Sequence, residues 1–415
     1  MKVASSFCDI TPNQKTTLGC NEHIEQPFND IDSSLELNAI RLNKGEVDTF
    51  IISVDTLFVT NEIKQYIVDY LNEQIMIQPE HVFLCASHTH YAPFLDPEKP
   101  NLGALDKNYE IFFKKQLHTL LDELMSKPLT DVDIVFNESI TSDIAVSRRK
   151  KSWGFWKRII LRKWMRLFPN REEPIDTKIR TFKLVKKNSH YVMAIMWNFA
   201  CHPVMYHSQL NVSSHFPGDI RTKIRDKNQG IPVVFLQGFS GDIRPLNTEK
   251  PITYKEKILA RLNQENEFKS FTKDSYSTWV NKLNEQVVNC LSKGEILNSK
   301  LKIRIMKFNQ DEILAHGQGD IYMHFIELSD KHLILGVSAE VVSSYAMKLQ
   351  QSYPEKKIVP VGCMGSVFGY WPSSKMLNEG GYEVVGFKSK FGLNAKFKSK
   401  ALENVFFKHT KQILK

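Results

Sequence analysis

The stretch 81–93, HVFLCASHTHYAP, joins an apolar run to two histidines that are separated by a single residue. The run HVFLCA is short and apolar, which is typical of a buried β-strand. On an extended backbone every second side chain points the same way, so His88 and His90 are expected to face one side of the strand exit. Such a pair can offer one nitrogen to a metal ion and another to a substrate. Either histidine can equally form hydrogen bonds in a core or a turn, so the interpretation depends on further ligands elsewhere.

Strands and helices alternate around this stretch. Short apolar and β-branched runs at 36–42 and 50–55 predict buried strands. Residues 61–75 and 107–126 repeat their apolar side chains at helical spacing, and Asn61 is a candidate N-cap of the first helix. Residues 250–300 are expected to form connecting helices. The pattern predicts an α/β fold: a single, mixed, layered catalytic domain spanning 1–415, with active-site residues at strand-to-loop exits.

The composition is that of a folded protein with a sizeable core, since 42% of the 415 residues are hydrophobic. The first residues lack the apolar stretch of a secretory signal, and no run approaches the roughly 20 apolar residues of a membrane span. We therefore expect a cytoplasmic protein without a transmembrane helix. The cysteines are scattered and form no C-x-x-C pair, which indicates free thiols. They are Cys8, Cys20, Cys85, Cys201, Cys290 and Cys363.

The positive charge is concentrated in the segment 148–171. This segment contains ten Lys or Arg and no acidic residue, whereas the whole chain has a net charge of +9, so the remainder is slightly acidic. Its apolar side chains, including Trp153, Trp156 and Trp164, recur at steps of three and four, which predicts an amphipathic helix with a basic face. Such an insertion suits an anionic membrane surface. A helix packed on the core, or a surface for single-stranded nucleic acid, would show the same pattern. No other feature indicates nucleic-acid binding.

Two further strand exits carry residues that can bind a metal ion. The run YVMAIMWNFACHPV ends near His202, and HLILGVSAEVV predicts a strand that ends at Glu340. A single carboxylate at the end of an apolar strand is costly to bury without a partner, and a metal ion would supply one. A salt bridge at Glu340 and a capping role for His202 would also explain these residues. A third run, IPVVFLQGFSGDIRP, leads from a strand into a glycine-rich turn.

Five motifs in this order resemble the N-terminal catalytic domain of the neutral/alkaline non-lysosomal ceramidase family. They are SHTHYAP, NFACHPV, VVFLQGFSGDIRP, GVSAEVV and FGYWPSSKMLNEGGYE, and the opening FCDITP is also similar. The resemblance covers most of the chain between residues 2 and 387, with 101–196 and 250–330 matching in general layout alone. It implies the fold of that domain and a zinc-dependent hydrolysis of an N-acyl amide bond.

The resemblance also implies roles for individual residues. One Zn²⁺ per chain would be bound by the first histidine of SHTHYAP, the histidine of NFACHPV, the glutamate of SAE and a tyrosine twelve residues before Tyr382. These metal ligands would be His88, His202, Glu340 and Tyr370. His90 and Tyr382 would face the substrate and polarise its carbonyl. Arg148 resembles an arginine of the family's active site, with Arg149 as an alternative.

The chain departs from the family at Arg244, which stands in the turn 241–245 where family members have a catalytic serine. An arginine stays protonated and cannot act as a nucleophile, but it can bind a carboxylate, a phosphate or an oxyanion. Arg244 is therefore a candidate catalytic residue that indicates an anionic substrate. In addition, His215 in SSHFPGD stands where relatives have an aspartate, and SAE replaces the family's P-G-E. We expect no counterpart of the C-terminal immunoglobulin-like domain of secreted ceramidases.

Together these features predict a zinc-dependent amide hydrolase, an N-deacylase or N-deacetylase. Its expected substrate is an N-acylated lipid or a lipid-linked amino sugar, bound at the inner face of a membrane through 148–171. Two alternatives stay open at this point. One is a metal-dependent esterase or deacetylase of a soluble substrate. The other is a catalytically silent lipid- or glycan-binding protein, for which Arg244 is the main argument. The residues give no indication of the oligomeric state.

Overall fold

In the computed structural model, two β-sheets pack face to face between layers of helices. The structure describes residues 1–20, 26–157, 159–228, 230–398 and 401–414. The strands are β1 (Lys2–Asp9), β2 (Asp30–Ile31), β3 (Glu36–Lys44), β4 (Val47–Val54), β5 (Val82–Ala86), β6 (Thr130–Ile140), β7 (Ala145–Trp156), β8 (Ile160–Asn170), β9 (Lys178–Lys186), β10 (Val192–Phe199), β11 (Asn211–Val212), β12 (Val233–Gln237), β13 (Ile243–Pro245), β14 (Glu295–Ile296), β15 (Lys302–Asn309), β16 (Leu314–Ala315), β17 (Asp320–Glu327), β18 (His332–Val337), β19 (Glu340–Val341), β20 (Lys357–Val361), β21 (Tyr370–Trp371) and β22 (Lys396–Phe397). The helices are α1 (Asn61–Asn72), α2 (Lys107–Ser126), α3 (His215–Asn228), α4 (Tyr254–Asn263), α5 (Lys273–Leu291), α6 (Ser344–Ser352), α7 (Ser374–Glu379) and α8 (Leu402–Leu414).

The larger sheet has the strand order β12-β10-β9-β6-β1-β3-β4-β5, and β14 pairs with β6. The smaller sheet has the order β15-β17-β18-β20. Parallel pairing occurs at β4–β5 and β10–β12 in the first sheet and at β18–β20 in the second. Parallel neighbours need a crossover connection, which α1, α3 and α6 supply in these three cases. The parallel strands therefore have their carboxyl ends next to the helical connections, and side chains from both sheets can meet there.

Alternate side chains of each strand pack on opposite layers. Ile40 of β3 and Ile51 of β4 share a hydrophobic cluster with Ile334 of β18, so this cluster joins the two sheets. Phe50 of β4 instead packs in a cluster with Leu117 of α2 on the outer face. The predicted α/β class and mixed layered architecture are confirmed. The assignment of 1–415 to a single domain stays a prediction.

Helix α1 begins where the sequence predicts a helix, but its cap is one residue earlier. The Thr60 hydroxyl accepts a hydrogen bond from the amide of Ile63 at 3.2 Å, which makes Thr60 the N-cap. The predicted cap, Asn61, is the first helical residue. Its amide donates to the Ser366 hydroxyl at 2.8 Å, so Asn61 contributes to the packing of the 366 loop on α1.

The basic segment 148–171 forms most of a β-hairpin, and the prediction of an amphipathic helix is wrong. β7 and β8 pair antiparallel, with Trp153 opposite Lys163. β7 pairs in turn with β13, which anchors the root of the hairpin next to the turn 241–245. Arg158 lies outside the described residues.

Stacked side chains explain why this segment is extended. The Arg162 guanidinium lies 3.8 Å from the ring centroid of Trp156 and 5.1 Å from that of Trp164. These three residues share one face of the hairpin because residues two apart in a strand point the same way. A Cβ on Gly154, opposite Arg162, would lie 2.8 Å from the guanidinium carbon of Arg166, so the glycine makes room for the Arg166 side chain. A cation–π pair contributes about 0.5–1 kcal/mol at an exposed site. The apolar spacing that fits a helix also fits the two-residue period of a β-strand, so the sequence pattern is compatible with the hairpin.

The six cysteines are free thiols, as predicted. In the described part of the chain, no helix combines the length and the apolar character that crossing a bilayer requires.

Candidate metal centre

The candidate site is a cavity of about 430 Å³ at the carboxyl ends of the parallel strands. The four predicted metal ligands follow these strands in turn, with His88 after β5, His202 after β10, Glu340 after β18 and Tyr370 after β20. We call these four residues the donor cluster, and the structure brings them together. The four predicted catalytic residues line the same cavity: His90, Arg148, Arg244 and Tyr382.

His88 is oriented by its own backbone and by a carbonyl of a neighbouring loop. Its Nδ1 donates to the carbonyl of Leu57 at 3.0 Å, which leaves Nε2 as the nitrogen with a free lone pair. Its φ is 66°, a left-handed conformation that costs a non-glycine residue of the order of 1 kcal/mol or more. The extended backbone on which His88 and His90 were expected to point the same way is therefore not found, because β5 ends at Ala86 and the chain turns at His88. The turn directs His88 Nε2 toward Glu340.

His202 is fixed in the same manner. Its Nδ1 lies 2.7 Å from the carbonyl of Ser240 and 3.1 Å from that of Ile243, and both carbonyls can only accept. Nε2 therefore faces the cavity with its lone pair. Burial is the main cause that lowers the pKa of His202 to about 4, which keeps this imidazole neutral, as a metal ligand must be.

Glu340 and Tyr370 are neighbours in a short parallel ladder, since β19 and β21 pair at these two residues. Burial alone would raise the pKa of the Glu340 carboxyl, but the imidazoles of His88 and His202 hold it well below its usual range. The backbone of Glu340 is closely packed by the glycine-rich turn, because a Cβ on Gly241 would lie 2.8 Å from the Glu340 carbonyl oxygen. This close approach explains the glycine at position 241.

The spacing of the donor atoms fits a bound metal ion. Glu340 Oε2 lies 3.1 Å from His202 Nε2 and 3.4 Å from His88 Nε2, and Tyr370 Oη lies 3.4 Å from His202 Nε2. Donors held tetrahedrally at about 2.0–2.1 Å from an ion lie about 3.3–3.4 Å apart, so an ion fits between these atoms with little rearrangement. His88 Nε2 is buried and has no hydrogen-bond partner within the described residues. A metal ion would satisfy this nitrogen.

His90 offers an alternative third nitrogen. One ligand atom from each of His88, His90 and His202 lies within 4.8 Å of the other two, so these three histidines could hold a metal ion. His90 Nε2 is buried and finds no hydrogen-bond partner in the part of the chain that the structure describes. Burial and the two neighbouring imidazoles hold the pKa of His90 well below its usual range. The neutral His90 ring is thus available either to a metal ion or to a substrate.

Arg148 and Arg149 bind opposite oxygens of one carboxylate. Arg148 Nε donates to Glu383 Oε1 at 2.7 Å, and Arg148 Nη2 donates to Tyr370 Oη at 3.1 Å. Arg149 Nη1 donates to Glu383 Oε2, and its Nη2 donates to Glu379 at 3.2 Å. Of these two arginines, only Arg148 is among the residues that line the cavity.

Glu383 is a site residue that the sequence analysis missed. Its side chain is fully buried, and burial alone would raise its pKa, but Arg148 and Arg149 lower that pKa below the ordinary value. Removing one partner of a buried ion pair leaves an uncompensated charge. The sequence feature that indicates an acidic partner such as Glu383 is the consecutive pair Arg148 and Arg149, because each arginine requires an acidic partner if it is buried.

Tyr382 begins a single π-helical turn, Tyr382–Gly386. Its ring centroid lies 5.6 Å from that of Tyr370, and the Arg148 guanidinium lies 5.3 Å from it. Gly381 precedes it with a φ of 96°, a conformation that favours glycine. Burial raises the pKa of the Tyr382 hydroxyl, which therefore keeps its proton and can donate a hydrogen bond into the cavity.

Arg244 lies in β13 opposite Val146 of β7. Burial and the neighbouring Arg148 lower its pKa to about 10, so it carries a positive charge at neutral pH. Its Nε is out of contact with solvent and lacks a hydrogen-bond partner among the described residues. The sequence analysis also missed Ser270 and Lys390, which line the same cavity, because nothing in their local sequence distinguishes them.

The fold is that of an α/β protein built like the catalytic domain of neutral ceramidases. The structure of neutral ceramidase from Pseudomonas aeruginosa superposes with a TM-score of 0.72 over 94% of this chain and 71% of that chain, at 10% sequence identity. A ceramidase complexed with C2 superposes with a TM-score of 0.71 over 92% of this chain and 71% of that chain, also at 10% identity. No protein-family model and no curated protein matches the sequence. The likeness is therefore one of fold.

Proposed function

We propose that this protein is a zinc-dependent amide hydrolase that removes an acyl group from an N-acylated lipid or a lipid-linked amino sugar. The observation that carries the proposal is the convergence of the four donor atoms, which are linked by three distances of 3.1–3.4 Å, on the fold of a ceramidase catalytic domain. Two imidazoles, a carboxylate and a phenol form a donor set that suits Zn²⁺. A zinc ion bound there would polarise the amide carbonyl and activate a water molecule.

The residues around the donor cluster supply the remaining functions. His90 can accept a proton at Nε2 from the attacking water and pass it to the departing amine, because its low pKa keeps the ring neutral beforehand and this nitrogen has no partner among the described residues. The Tyr382 hydroxyl can donate to the oxygen that becomes negative during attack on the carbonyl. Arg148 positions Tyr370 and Tyr382, since it donates to Tyr370 Oη and lies against the Tyr382 ring. Water is the attacking group in this scheme, so no serine nucleophile is needed at position 244.

The hairpin gives the proposed lipid substrate a route to the cavity. Its tip, which we define as residues 156, 157 and 159–161, exposes apolar surface: Trp156 is 41%, Ile159 82% and Ile160 56% exposed. Leu161, Met165 and Leu167 lie on one face of β8, and Leu167 lines the cavity. The distance from Ile160 to Leu167 along the strand is roughly 23 Å.

We therefore propose that the hairpin tip inserts its apolar side chains into an anionic bilayer. Lys157, Arg162 and Lys163 surround the tip and would meet the lipid phosphates. Anionic lipid is a feature of the cytoplasmic leaflet, which makes the inner face of the membrane the proposed location.

The proposal is tested by metal content and by amine release. We compare the purified protein with a His88→Ala/His202→Ala double variant and with His190→Ala, which removes an exposed histidine as a control. We expect about one zinc per chain in the parent and the control, and none in the double variant. Release of free amine from N-acylated amphiphiles should fall at least about 10³-fold in the double variant and in the chelated parent, and return when zinc is added.

Two outcomes would contradict the proposal. A folded parent that binds no zinc, even when zinc is supplied, would favour a lipid- or glycan-binding protein. Cleavage of acyl esters without cleavage of the matched amides would favour an esterase with the same centre.

A further inference from the structure

The charge of the cavity is unbalanced. Its lining includes the cations Arg148, Arg244 and Lys390, and among the described lining residues there is no carboxylate. Arg148 is compensated by Glu383, to which its Nε donates at 2.7 Å. The compensating charge of Arg244 must therefore come from another source.

Arg244 is held firmly and lacks a partner. Its backbone is part of the β13–β7 ladder, and the next residue is a proline. Its Nε is buried, and within the described ranges it has no hydrogen-bond partner and no ion pair. Its guanidinium carbon lies 5.7 Å from the ring centroid of Phe268. An unpaired guanidinium at the edge of a cavity costs free energy unless an anion occupies that cavity.

The position of Arg244 relates it to the donor cluster. The preceding residue, Ile243, supplies one of the two carbonyls that accept from His202 Nδ1, at 3.1 Å. Arg244 and His202 also line the same cavity. An anion bound by Arg244 would therefore lie near the reacting amide and far from the exposed hairpin tip.

We propose that Arg244 binds an oxyanion of the substrate itself, a carboxylate or a phosphate located a few bonds from the scissile amide. The inference rests on the proposed function and adds that the substrate is anionic at its polar end. A guanidinium presents two parallel N–H groups that match the two oxygens of a carboxylate or a phosphate. The Ser270 hydroxyl and the Lys390 ammonium line the same cavity and can complete the anion site.

This role differs from stabilisation of the reacting oxygen. A group that stabilises the transition state acts on every substrate of the enzyme, whereas an anchor acts only on substrates that carry the anion. Replacement of Arg244 therefore distinguishes the two roles, provided that charged and neutral substrates are compared.

The experiment uses two matched pairs of probes. N-dodecanoylglycine is compared with the neutral N-dodecanoylglycinamide, and N-dodecanoyl phosphoethanolamine with the neutral N-dodecanoylethanolamine. Binding is measured by calorimetry on the protein as purified and again with a chelator. The comparison distinguishes binding of the anion by Arg244 from its direct coordination by a metal ion. Hydrolysis of each probe is measured in parallel. The variants are Arg244→Gln and Arg244→Lys, with the exposed Arg261→Gln as a control for the loss of one charge.

We expect the parent to bind the anionic member of at least one pair about tenfold or more tightly than the neutral member. Arg244→Gln should reduce the ratio of anionic to neutral binding to about one, Arg244→Lys should keep part of the preference, and Arg261→Gln should keep all of it. The pair that shows the preference identifies the anion as carboxylate or phosphate. Preference in binding without any hydrolysis would support the anion site and contradict the amidase function.

Three results would overturn the anion site. One is a parent that binds both members of each pair equally. Another is an Arg244→Gln variant that loses the same factor on charged and neutral probes, which would make Arg244 a transition-state group. The third is Arg244-dependent binding of inorganic phosphate without any preference between the amphiphiles, which would make the ligand a free ion.

Discussion

The donor cluster and the hairpin tip differ in what holds their side chains. In the donor cluster, His88 and His202 are each fixed by backbone carbonyls, and Glu340 is packed by the turn at Gly241. At the tip, Trp156 stacks under Arg162, but the neighbouring Ile159 is 82% exposed and contributes nothing to the core. The candidate metal ligands thus lie on rigid strand ends, while the exposed apolar side chains lie on an extension that can change without altering the centre. Substitutions in the two regions should separate accordingly.

The largest effect on stability is expected at the root of the hairpin, where Arg148 and Arg149 of β7 bind Glu383. Glu383→Ala would leave Arg148 and Arg149 as buried cations without their shared carboxylate. We expect the free energy of unfolding to fall by about 3–5 kcal/mol, measured by urea denaturation. Glu379→Ala serves as the control, since Glu379 is 30% exposed and pairs with Arg149 and with the exposed Lys375, and it should cost about 1 kcal/mol or less. Equal effects of the two variants would mean that the root of the hairpin is no more rigid than the surface.

An intermediate effect is expected at His215, a buried histidine outside the donor cluster. Its ring packs on Tyr91 and Tyr276, and burial lowers its pKa from 6.5 to about 3. Between these two values the unfolded chain binds a proton that the folded chain excludes, so stability is fully present above about pH 6.5 and is lost as the pH falls.

His215→Phe should therefore flatten the pH dependence of stability. The loss of stability between pH 7 and pH 5 should be smaller in the variant by about 2 kcal/mol, from urea denaturation at each pH. His190→Phe, at an exposed position, controls for the loss of one imidazole. An unchanged pH dependence in His215→Phe would contradict the neutral, buried state of this ring.

The smallest effect on the fold should come from the hairpin tip. A Trp156→Ser/Ile159→Ser/Ile160→Ser variant should lose about 1 kcal/mol of unfolding free energy at Trp156, where a cation–π pair is removed, and about 0.5 kcal/mol or less at each isoleucine, with no change in metal content. Its partitioning onto liposomes that contain phosphatidylserine should fall about tenfold or more. Ile140→Ser, which removes a side chain that is 77% exposed outside the hairpin, is the control. Unchanged liposome binding in the triple variant would refute membrane insertion of the tip.

Much of the fold could be predicted from the sequence because its strands and helices have a clear period. The runs that form β3, β4 and β5 are short, apolar and partly β-branched, which favours strands, and α2 repeats its apolar side chains at helical spacing. The hairpin could not be predicted in this way, since positions 156, 160 and 164 satisfy a helical period and a period of two at once. Pairing of β7 with β13 settles the choice, and that contact is not visible in the local sequence.

The composition of the candidate site could be predicted because its residues follow strands. Metal-ligating side chains after several apolar runs predict a common site, and the structure brings His88, His202 and Glu340 into contact. What the sequence could not predict is the left-handed turn at His88 and the role of Glu383. Both depend on distant parts of the chain, since Leu57 orients the His88 ring and Glu383 binds Arg148 and Arg149.

The ion pair between Arg148 and Glu383 joins residues that are 235 positions apart in the chain. Closing so long a loop has an entropic cost that the pair alone does not repay, so the contact forms after the intervening sheets have assembled. On a ribosome, Arg148 emerges long before its partner is synthesised. Because Arg148 also donates to Tyr370, the candidate centre becomes complete in the last stage of folding. Tight metal binding would then report that the entire chain has folded, and an incomplete chain would remain without its ion.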